Sequence, residues 1–260
     1  MPLFNFADSL RIGSRTVAQT RKGAERTFPM WNEATGGTVT TITNYNGTGQ
    51  TWKVHKFLSS GTLTVTSGAQ PFRVLLVGGG GGSGSWDKGG GGGGGGMFIR
   101  DGQTISAGSH AATVGGSAGT SSLATVGSAS PGSYGGGRVQ NGGASGAPTA
   151  NAGGNGDYVY ASGGGGGAGG VGGNVRGYEL GGVGGIGRLN NITGTNTYYA
   201  GGGGGAHNLG LNPRCPGGAG GGGQTGLNGA NGFGGGGGGA GLAGNGIGGS
   251  GVIIVSYRIA

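Results

Sequence analysis

The sequence predicts a mostly irregular and β-structured protein, in which a small β-base carries a bundle of polyglycine-II helices and a short β-hairpin module stands at the N-terminus. Three observations lead to this fold class. Glycine accounts for 81 of the 260 residues while only 8% are charged, which no ordinary globular domain shows. The glycines form tracts after residue 77, and strand-like apolar runs flank those tracts on both sides. We therefore expect three units, residues 1–35, residues 36–77 together with 251–260, and residues 78–250.

The first unit is predicted to be a basic attachment module. "IGSRTV" at 12–17 and "KGAERTF" at 22–28 form a weak repeat, in which glycine suits a tight turn between short strands. A basic arm favours docking on an acidic partner surface, and a solvated hairpin face is the alternative. Nucleic acid is not expected as a partner because the glycine tracts contain no RGG motif. The residues assigned to attachment are Arg11, Arg15, Arg21, Lys22, Arg26 and Trp31.

The second unit is predicted to be the small β-base. "TVTTITNYNG", "TWKVHKFLSSGTLTVTSG" and "FRVLLVGG" alternate as strands do, and Asn-Gly and Ser-Gly pairs suit the turns between them. "GVIIVSYRI" at 251–259 is a matching apolar strand. Strands on both sides of the glycine zone should pair, because unpaired strands would leave their edges exposed. "MFIRDGQTISAG" at 97–108 and "AATVGG" at 111–116 are expected to join them.

The third unit, in which short interruptions separate the glycine tracts, is predicted to be ordered. Polyglycine-II helices have three residues per turn and no internal hydrogen bonds, so neighbouring tracts must satisfy one another's N–H and C=O groups. The absence of a Cβ atom lets such backbones approach closely. Disorder is the alternative, but disordered segments normally carry charge. Between residues 102 and 175 the only charged side chains are Arg138 and Asp157.

Side chains that could carry catalysis are not grouped in the sequence. "GGSAG" at 115–119 fits a nucleophile elbow around Ser117, yet such a match is expected by chance in a chain this rich in glycine. His55, His110 and His207 are far apart, and Cys215 is the single cysteine, so neither a metal site nor a disulfide is predicted. We expect no enzyme, no cofactor and no metal.

Binding loops are predicted from an alternating path of the glycine tracts. If successive tracts run antiparallel from a base at Val77 and Val252, every second interruption lies at the tip of the bundle. Aromatic rings in such loops suit stacking on sugars, and polar groups there suit hydrogen bonds to hydroxyls. The alternative is that these rings cover the sides of the bundle. The candidate receptor-binding residues are Trp86, Asp87, Tyr158, Tyr160, Asn190, Asn191, Tyr198, Tyr199 and Phe233.

The segments that flank the glycine zone carry a resemblance to a known family. "KFLSSGTLTV…FRVLLVGGGGG" and the terminal "GGSGVIIVSY" resemble the glycine-rich domain of phage tail proteins, over roughly residues 53–259. The N-terminal repeat resembles a hairpin module of minor tail proteins of long-tailed phages, and the body is similar in design to the polyglycine-II adhesins of phage tail fibres. The resemblance implies a virion tail component that is made in the host cytoplasm. It also implies a homo-oligomer, with a trimer favoured.

The expected function is that of a structural phage minor tail protein, at the tail tip or in a fibre, that binds a host cell-surface receptor through loops between glycine helices. Its expected partners are other tail proteins and a host surface glycan or other envelope receptor. A purely architectural spacer or assembly component is the first alternative, and an ice-binding protein of the polyglycine type is the second. The aliphatic runs "VLLV" and "VIIV" are too short to span a bilayer, so no membrane insertion is expected.

Overall fold

The computed structural model is an all-β structure that describes residues 10–12, 15–17, 31–68, 70–85, 88–137, 141–157, 161–176, 180–207, 214–241 and 244–260. The strands are β1 (Leu10–Ile12), β2 (Arg15–Val17), β3 (Glu33–Thr35), β4 (Thr38–Ile42), β5 (Trp52–Phe57), β6 (Gly61–Ser67), β7 (Phe72–Val77), β8 (Met97–Gln103), β9 (Gly108–Thr113), β10 (Ser121–Leu123), β11 (Gly127–Ala129), β12 (Arg188–Asn190), β13 (Thr197–Tyr199) and β14 (Val252–Arg258). No helix among these residues has the length and apolar character to cross a membrane.

Sheet I has five antiparallel strands in the order β4-β5-β14-β7-β8. Its central strand β14 pairs with β5 on one side, where Val255 lies opposite His55, and with β7 on the other, where Val255 lies opposite Val74. The expectation that strands on the two sides of the glycine zone pair is confirmed. The apolar runs of β7 and β14 are nearly continuous because both faces of sheet I are covered.

Sheet II has five antiparallel strands in the order β11-β10-β9-β6-β3. The predicted strand segments at 97–108 and 111–116 are divided between the sheets, since β8 belongs to sheet I and β9 to sheet II. The inward side chains of both sheets form one buried core, which includes Leu63 of β6, Leu123 of β10 and Tyr257 of β14. The sheets therefore form a sandwich that is held by hydrophobic burial.

The outer face of sheet I is covered by the hairpin β12–β13 and nearby glycine-zone residues. Ile192 and Tyr199 pack there against Leu75, Val77 and Ile254, and all five side chains are at most 2% exposed. The hairpin pairs Leu189 with Tyr198. The glycine zone is thus anchored to the sandwich by side-chain packing as well as by chain connectivity.

The predicted fold class, a bundle of polyglycine-II helices on a small β-base, is wrong. The regular structure is antiparallel β-sheet, and the helical part of the described residues is a single three-residue 3-10 turn, Tyr45–Gly47. The alternating apolar residues between 33 and 129 build a second sheet. Hydrophobic packing between two sheets, rather than an array of helices, is therefore the framework of the molecule.

The glycine tracts join this framework as buried segments that are linked by backbone hydrogen bonds. Residues 89–96 are all buried. The N–H groups of residues 90–96 donate to three other segments in rotation, so that N–H groups three residues apart donate to the same segment. The donor–acceptor pairs are Gly90–Gly136, Gly93–Ser133 and Gly96–Ser130 for the first segment, Gly91–Gly163 and Gly94–Gly166 for the second, and Gly92–Gly237 and Gly95–Gly234 for the third. This lattice satisfies backbone groups that burial would otherwise leave unpaired.

The N-terminal unit lies largely outside the described residues. Strands β1 and β2 form an antiparallel pair in which Arg11 lies opposite Thr16, and Arg15 opposite Ile12. Three of the predicted attachment residues, Arg21, Lys22 and Arg26, are outside the described ranges. The predicted role of residues 1–35 in attachment stays a prediction.

A buried histidine links the two sheets through a chain of hydrogen bonds. His55 is 0% exposed, and its Nδ1 lies 2.8 Å from the carbonyl oxygen of Gly36. A carbonyl only accepts, so Nδ1 carries the proton and Nε2, 3.3 Å from the hydroxyl of Tyr257, accepts. The Tyr257 oxygen in turn accepts the N–H of Ala34 at 2.9 Å. This arrangement requires a neutral imidazole, and burial lowers the pKa of His55 below its usual 6.5.

This histidine should make stability fall in mild acid. Below about pH 6.5 the unfolded chain takes up a proton at His55, while the folded chain, whose His55 pKa is lowered, does not. The contribution of His55 to the free energy of unfolding should therefore be fully present above pH 6.5. It should be lost as the pH drops toward the folded-state pKa, at up to ~1.4 kcal/mol per pH unit. Denaturant unfolding at pH 7.5, 6.5, 5.5 and 5.0 measures this loss of unfolding free energy. The variant His55→Gln, which keeps an N–H donor for Gly36, should lose this part of the slope; equal slopes in both proteins would contradict the assignment.

Candidate binding cleft

A cleft of about 400 Å³ opens where three glycine segments meet at the surface. Its walls combine glycine backbone with a few side chains, and we call it the Tyr134 cleft. Its lining side chains are Ser83, Ser85, Ser117, Tyr134, Asn245 and Ile247, and glycines 82, 84, 135, 137 and 246 complete the lining. Of these, Tyr134 is 62% exposed and Ile247 is 58% exposed.

Backbone hydrogen bonds fix the segments that form the cleft. Gly135 donates to the carbonyl of Gly82 at 3.0 Å, and Ser83 donates to the carbonyl of Gly246 at 2.8 Å. The turn that holds Ser117 is tied to the same body, because Ala118 donates to the carbonyl of Gly80 at 2.8 Å. The cleft is therefore built on the ordered part of the glycine zone, which suits a binding site that keeps its shape.

The ring of Tyr134 lies against Gly82. A Cβ atom built on Gly82 would come within 3.0 Å of Cε1 and 3.2 Å of Cδ1 of Tyr134, so a larger residue there would press on the ring. Most of the Tyr134 side chain stays in solvent. An exposed aromatic face beside polar groups is the arrangement that stacks on a planar or saccharide ligand.

The hydroxyl of Ser83 is buried in the cleft wall without a hydrogen-bond partner among the described residues. Ser83 is only 7% exposed. A buried polar group without a partner costs about 1–3 kcal/mol, so each such group in a folded protein calls for an explanation. The oxygen has almost no contact with solvent, so a molecule in the cleft would reach it only after a rotation about χ1.

Among the described residues, no side chain that lines the Tyr134 cleft is ionisable near neutral pH. The set consists of serine hydroxyls, one carboxamide, one phenol and one aliphatic chain, although the whole chain carries a formal net charge of +8. The cleft can therefore donate and accept hydrogen bonds and stack on a ring, but its described lining offers no charge to pair with an anion.

Sequence reasoning found this region only in part. Ser83 and Ser85 lie just before the candidate receptor-binding residues Trp86 and Asp87 in the sequence. Four of the candidates, Trp86, Asp87, Tyr158 and Tyr160, lie outside the described residues. Tyr134 and Ile247 were missed. The available signal was the isolation of each large side chain within a glycine-rich stretch, "GSYGGG" and "GNGIGGS", which gives neither side chain a packing partner nearby in the sequence.

The other candidate receptor-binding residues lie on or near the hairpin β12–β13. Tyr199 is 2% exposed and stacks on Phe233 with ring centroids 5.8 Å apart, in the cluster on the outer face of sheet I. Burial raises the pKa of Tyr199. The alternating path put this loop at a tip away from the base, and the structure packs it against the base instead. Tyr198, which points the other way and is 39% exposed, stays accessible.

Asn191 ties the loop of this hairpin to sheet I. The hydroxyl of Tyr45 donates to the carbonyl of Asn191 at 2.8 Å, and Arg73 contacts both the Tyr45 hydroxyl and the side-chain oxygen of Asn191. The Nε of Arg73 also donates to Asp101 at 2.8 Å. Burial raises the pKa of Tyr45, and the positive charge of Arg73 opposes that effect. The described contacts of Asn191 are therefore structural.

The remaining predicted positions are described only in part. The Trp31 ring lies beneath the guanidinium of Arg258, 5.1 Å from the ring centroid. Cys215 is buried, and burial raises the pKa of its thiol. Among the described residues, no three histidine, cysteine or carboxylate side chains form a group that could hold a metal ion.

The comparison with protein families agrees with the composition. A family model described as a glycine-rich domain matches residues 57–258. This range runs from the last residue of β5 to the last residue of β14, so it includes the glycine zone and the Tyr134 cleft. No curated protein matches the chain, and no solved structure does.

Proposed function

The chain belongs to the glycine-rich domain family, and from this membership we propose that it is a minor tail protein of a long-tailed phage whose glycine-rich body binds the surface of the host cell. The sequence supports the phage context through the flanking segments "FRVLLVGGGGG" and "GGSGVIIVSY", which resemble those of glycine-rich tail proteins. In this proposal the chain resides in the virion, and residues 1–35 attach it to other tail proteins.

One observation carries the binding role, namely that a cleft with exposed aromatic and apolar side chains is mounted on a hydrogen-bonded glycine body. Tyr134 and Ile247 are each more than half exposed at its rim, where solvent contact with apolar area is unfavourable. Large side chains at the mouth of a concave, pre-formed site are typical of surfaces that bind a partner. A spacer without a ligand would not need them.

The proposal is tested by adhesion of the full-length protein to bacteria. Fluorescently labelled protein should bind cells of the strain that the phage infects, and preincubation of those cells with unlabelled protein should slow adsorption of the phage. Cells of a phage-resistant strain that lacks the receptor serve as the control and should stay unlabelled. If virions contain the chain but the purified protein adheres to no susceptible strain, the binding role is overturned and the architectural alternative is favoured.

A further inference from the structure

We propose that the Tyr134 cleft binds one neutral pyranose unit of a cell-surface polysaccharide, stacked on the ring of Tyr134 and hydrogen-bonded to Ser83 and Asn245. The source of the sugar rests on the proposed function, whereas the ligand class rests on the cleft alone. The ligand class follows from the ring, the unpartnered hydroxyl, the absence of charge from the described lining and the size of the cleft.

The ring supplies the stacking surface. Cδ1 and Cε1 of Tyr134 lie against Gly82, and the side chain is 62% exposed, so the ring has a neighbour in the cleft wall and most of its surface is open to a ligand. The axial C–H groups of a pyranose form an apolar face that matches an aromatic ring. Ile247, also at the rim, adds a second apolar contact beside the ring.

Hydroxyl and amide groups supply the polar contacts. Ser83 is 7% exposed and its Oγ has no partner among the described residues, so a sugar hydroxyl would satisfy it once χ1 rotates the Oγ to the cleft. Asn245 is an exposed part of the lining and offers both a donor and an acceptor, which is the pairing that vicinal hydroxyls need. Ser117 lies at the same opening and can extend these contacts.

The described lining contains no charged side chain, which favours neutral sugars. A sialic or uronic acid, or a glycerol phosphate, would lose hydration in the cleft without gaining a charged partner from the described lining. The net charge of +8 of the whole chain can steer it to an anionic envelope. The volume of about 400 Å³ lies within the range of small-ligand pockets, ~300–1,000 Å³.

Saturation-transfer NMR on the full-length protein tests the ligand class directly. The probes are the methyl glycosides of glucose, galactose, mannose and N-acetylglucosamine, with N-acetylneuraminic acid, glucuronic acid and glycerol phosphate as the charged comparison. At least one neutral glycoside should show transfer and the charged probes should not. No transfer to any neutral glycoside, or stronger transfer to a charged probe, would overturn the proposal.

Four variants locate the binding site. Tyr134→Ala should weaken binding about five- to tenfold, and Tyr134→Phe, which keeps the ring, should stay within about twofold of the wild type. Ser83→Ala should weaken binding several-fold without lowering the unfolding midpoint, because its hydroxyl makes no hydrogen bond within the described residues. Val171→Ala, at an exposed apolar side chain of another glycine segment that is not among the described residues of the cleft lining, is the control and should bind as the wild type does. Equal binding by Tyr134→Ala and the wild type would overturn the assignment to this cleft.

The same variants separate this inference from the proposed function. If the wild type and Tyr134→Ala adhere equally to susceptible bacteria, host binding stands and the cleft is not the site. If the wild type binds a neutral glycoside through Tyr134 yet adheres to no susceptible strain, the cleft assignment stands and host binding fails.

Discussion

Replacement of Gly93 by alanine should cost the protein at least about 3 kcal/mol of unfolding free energy. A Cβ atom on Gly93 would come 1.9 Å from the carbonyl oxygen of Ala144, which is part of the backbone and cannot turn aside. Gly93 donates to Ser133 at 2.9 Å and accepts from Gly81 at 2.8 Å, so moving its segment would break buried hydrogen bonds on two sides. Denaturant unfolding followed by intrinsic fluorescence gives the free energy.

Gly116→Ala is the matched control for this substitution. A Cβ atom on Gly116 meets nothing within 4 Å, and neither glycine has the positive φ that strains an alanine. Both substitutions reduce the freedom of the unfolded chain equally, which by itself stabilises by about 0.4–1 kcal/mol. Gly116→Ala should therefore be neutral or slightly stabilising. If the two variants had the same stability, the close approach of the segments at Gly93 would be refuted.

Removal of the Tyr257 side chain should destabilise the protein by about 3–5 kcal/mol. Tyr257 is 0% exposed, stacks on His55 at 5.6 Å and meets the edge of Phe72 at 5.3 Å. Tyr257→Ala would leave a cavity between the two sheets, whose rigid strands can close it only in part. Thermal and denaturant unfolding of the purified variant measure the loss.

Tyr257→Phe separates the ring from the hydroxyl. This variant keeps the packing but leaves the buried N–H of Ala34 and Nε2 of His55 without the hydroxyl that now lies 2.9 and 3.3 Å away. We expect a loss of about 1–3 kcal/mol. A loss in Tyr257→Phe as large as that in Tyr257→Ala would mean that the hydrogen bonds, and not the ring, hold the sheets together.

Strand positions could be predicted from this sequence because their signal is local. Alternation and β-branched residues mark β5, β6 and β7, and "VIIVSY" marks β14. Their pairing followed from the need to cover edges. The division of β8 and β9 between two sheets was not predictable from pattern alone, because both segments carry the same weak alternation and only tertiary packing assigns them to a sheet.

The path of the glycine segments could not be predicted, for a physical reason. Glycine has no side chain to mark an inner or outer face, so hydrophobic periodicity gives no information about which segment lies next to which. The hydrogen bonds of Gly91 and Gly92 go to Gly163 and Gly237, partners that no sequence spacing indicates. For the same reason Tyr199 was placed at a tip although it lies in a core, and Tyr134 was overlooked.

The position of β14 sets the order in which the molecule can be assembled. Ala34 and Tyr257, joined by a hydrogen bond, are 223 residues apart, and β14 fills the place between β5 and β7. While a ribosome is still translating the glycine zone, β5 and β7 have no partner between them, and each presents an unpaired edge. Such a distant closure is slow. The nascent chain therefore stays open at its centre until β14 emerges, and a chaperone that shields those two edges would raise the yield of folded protein.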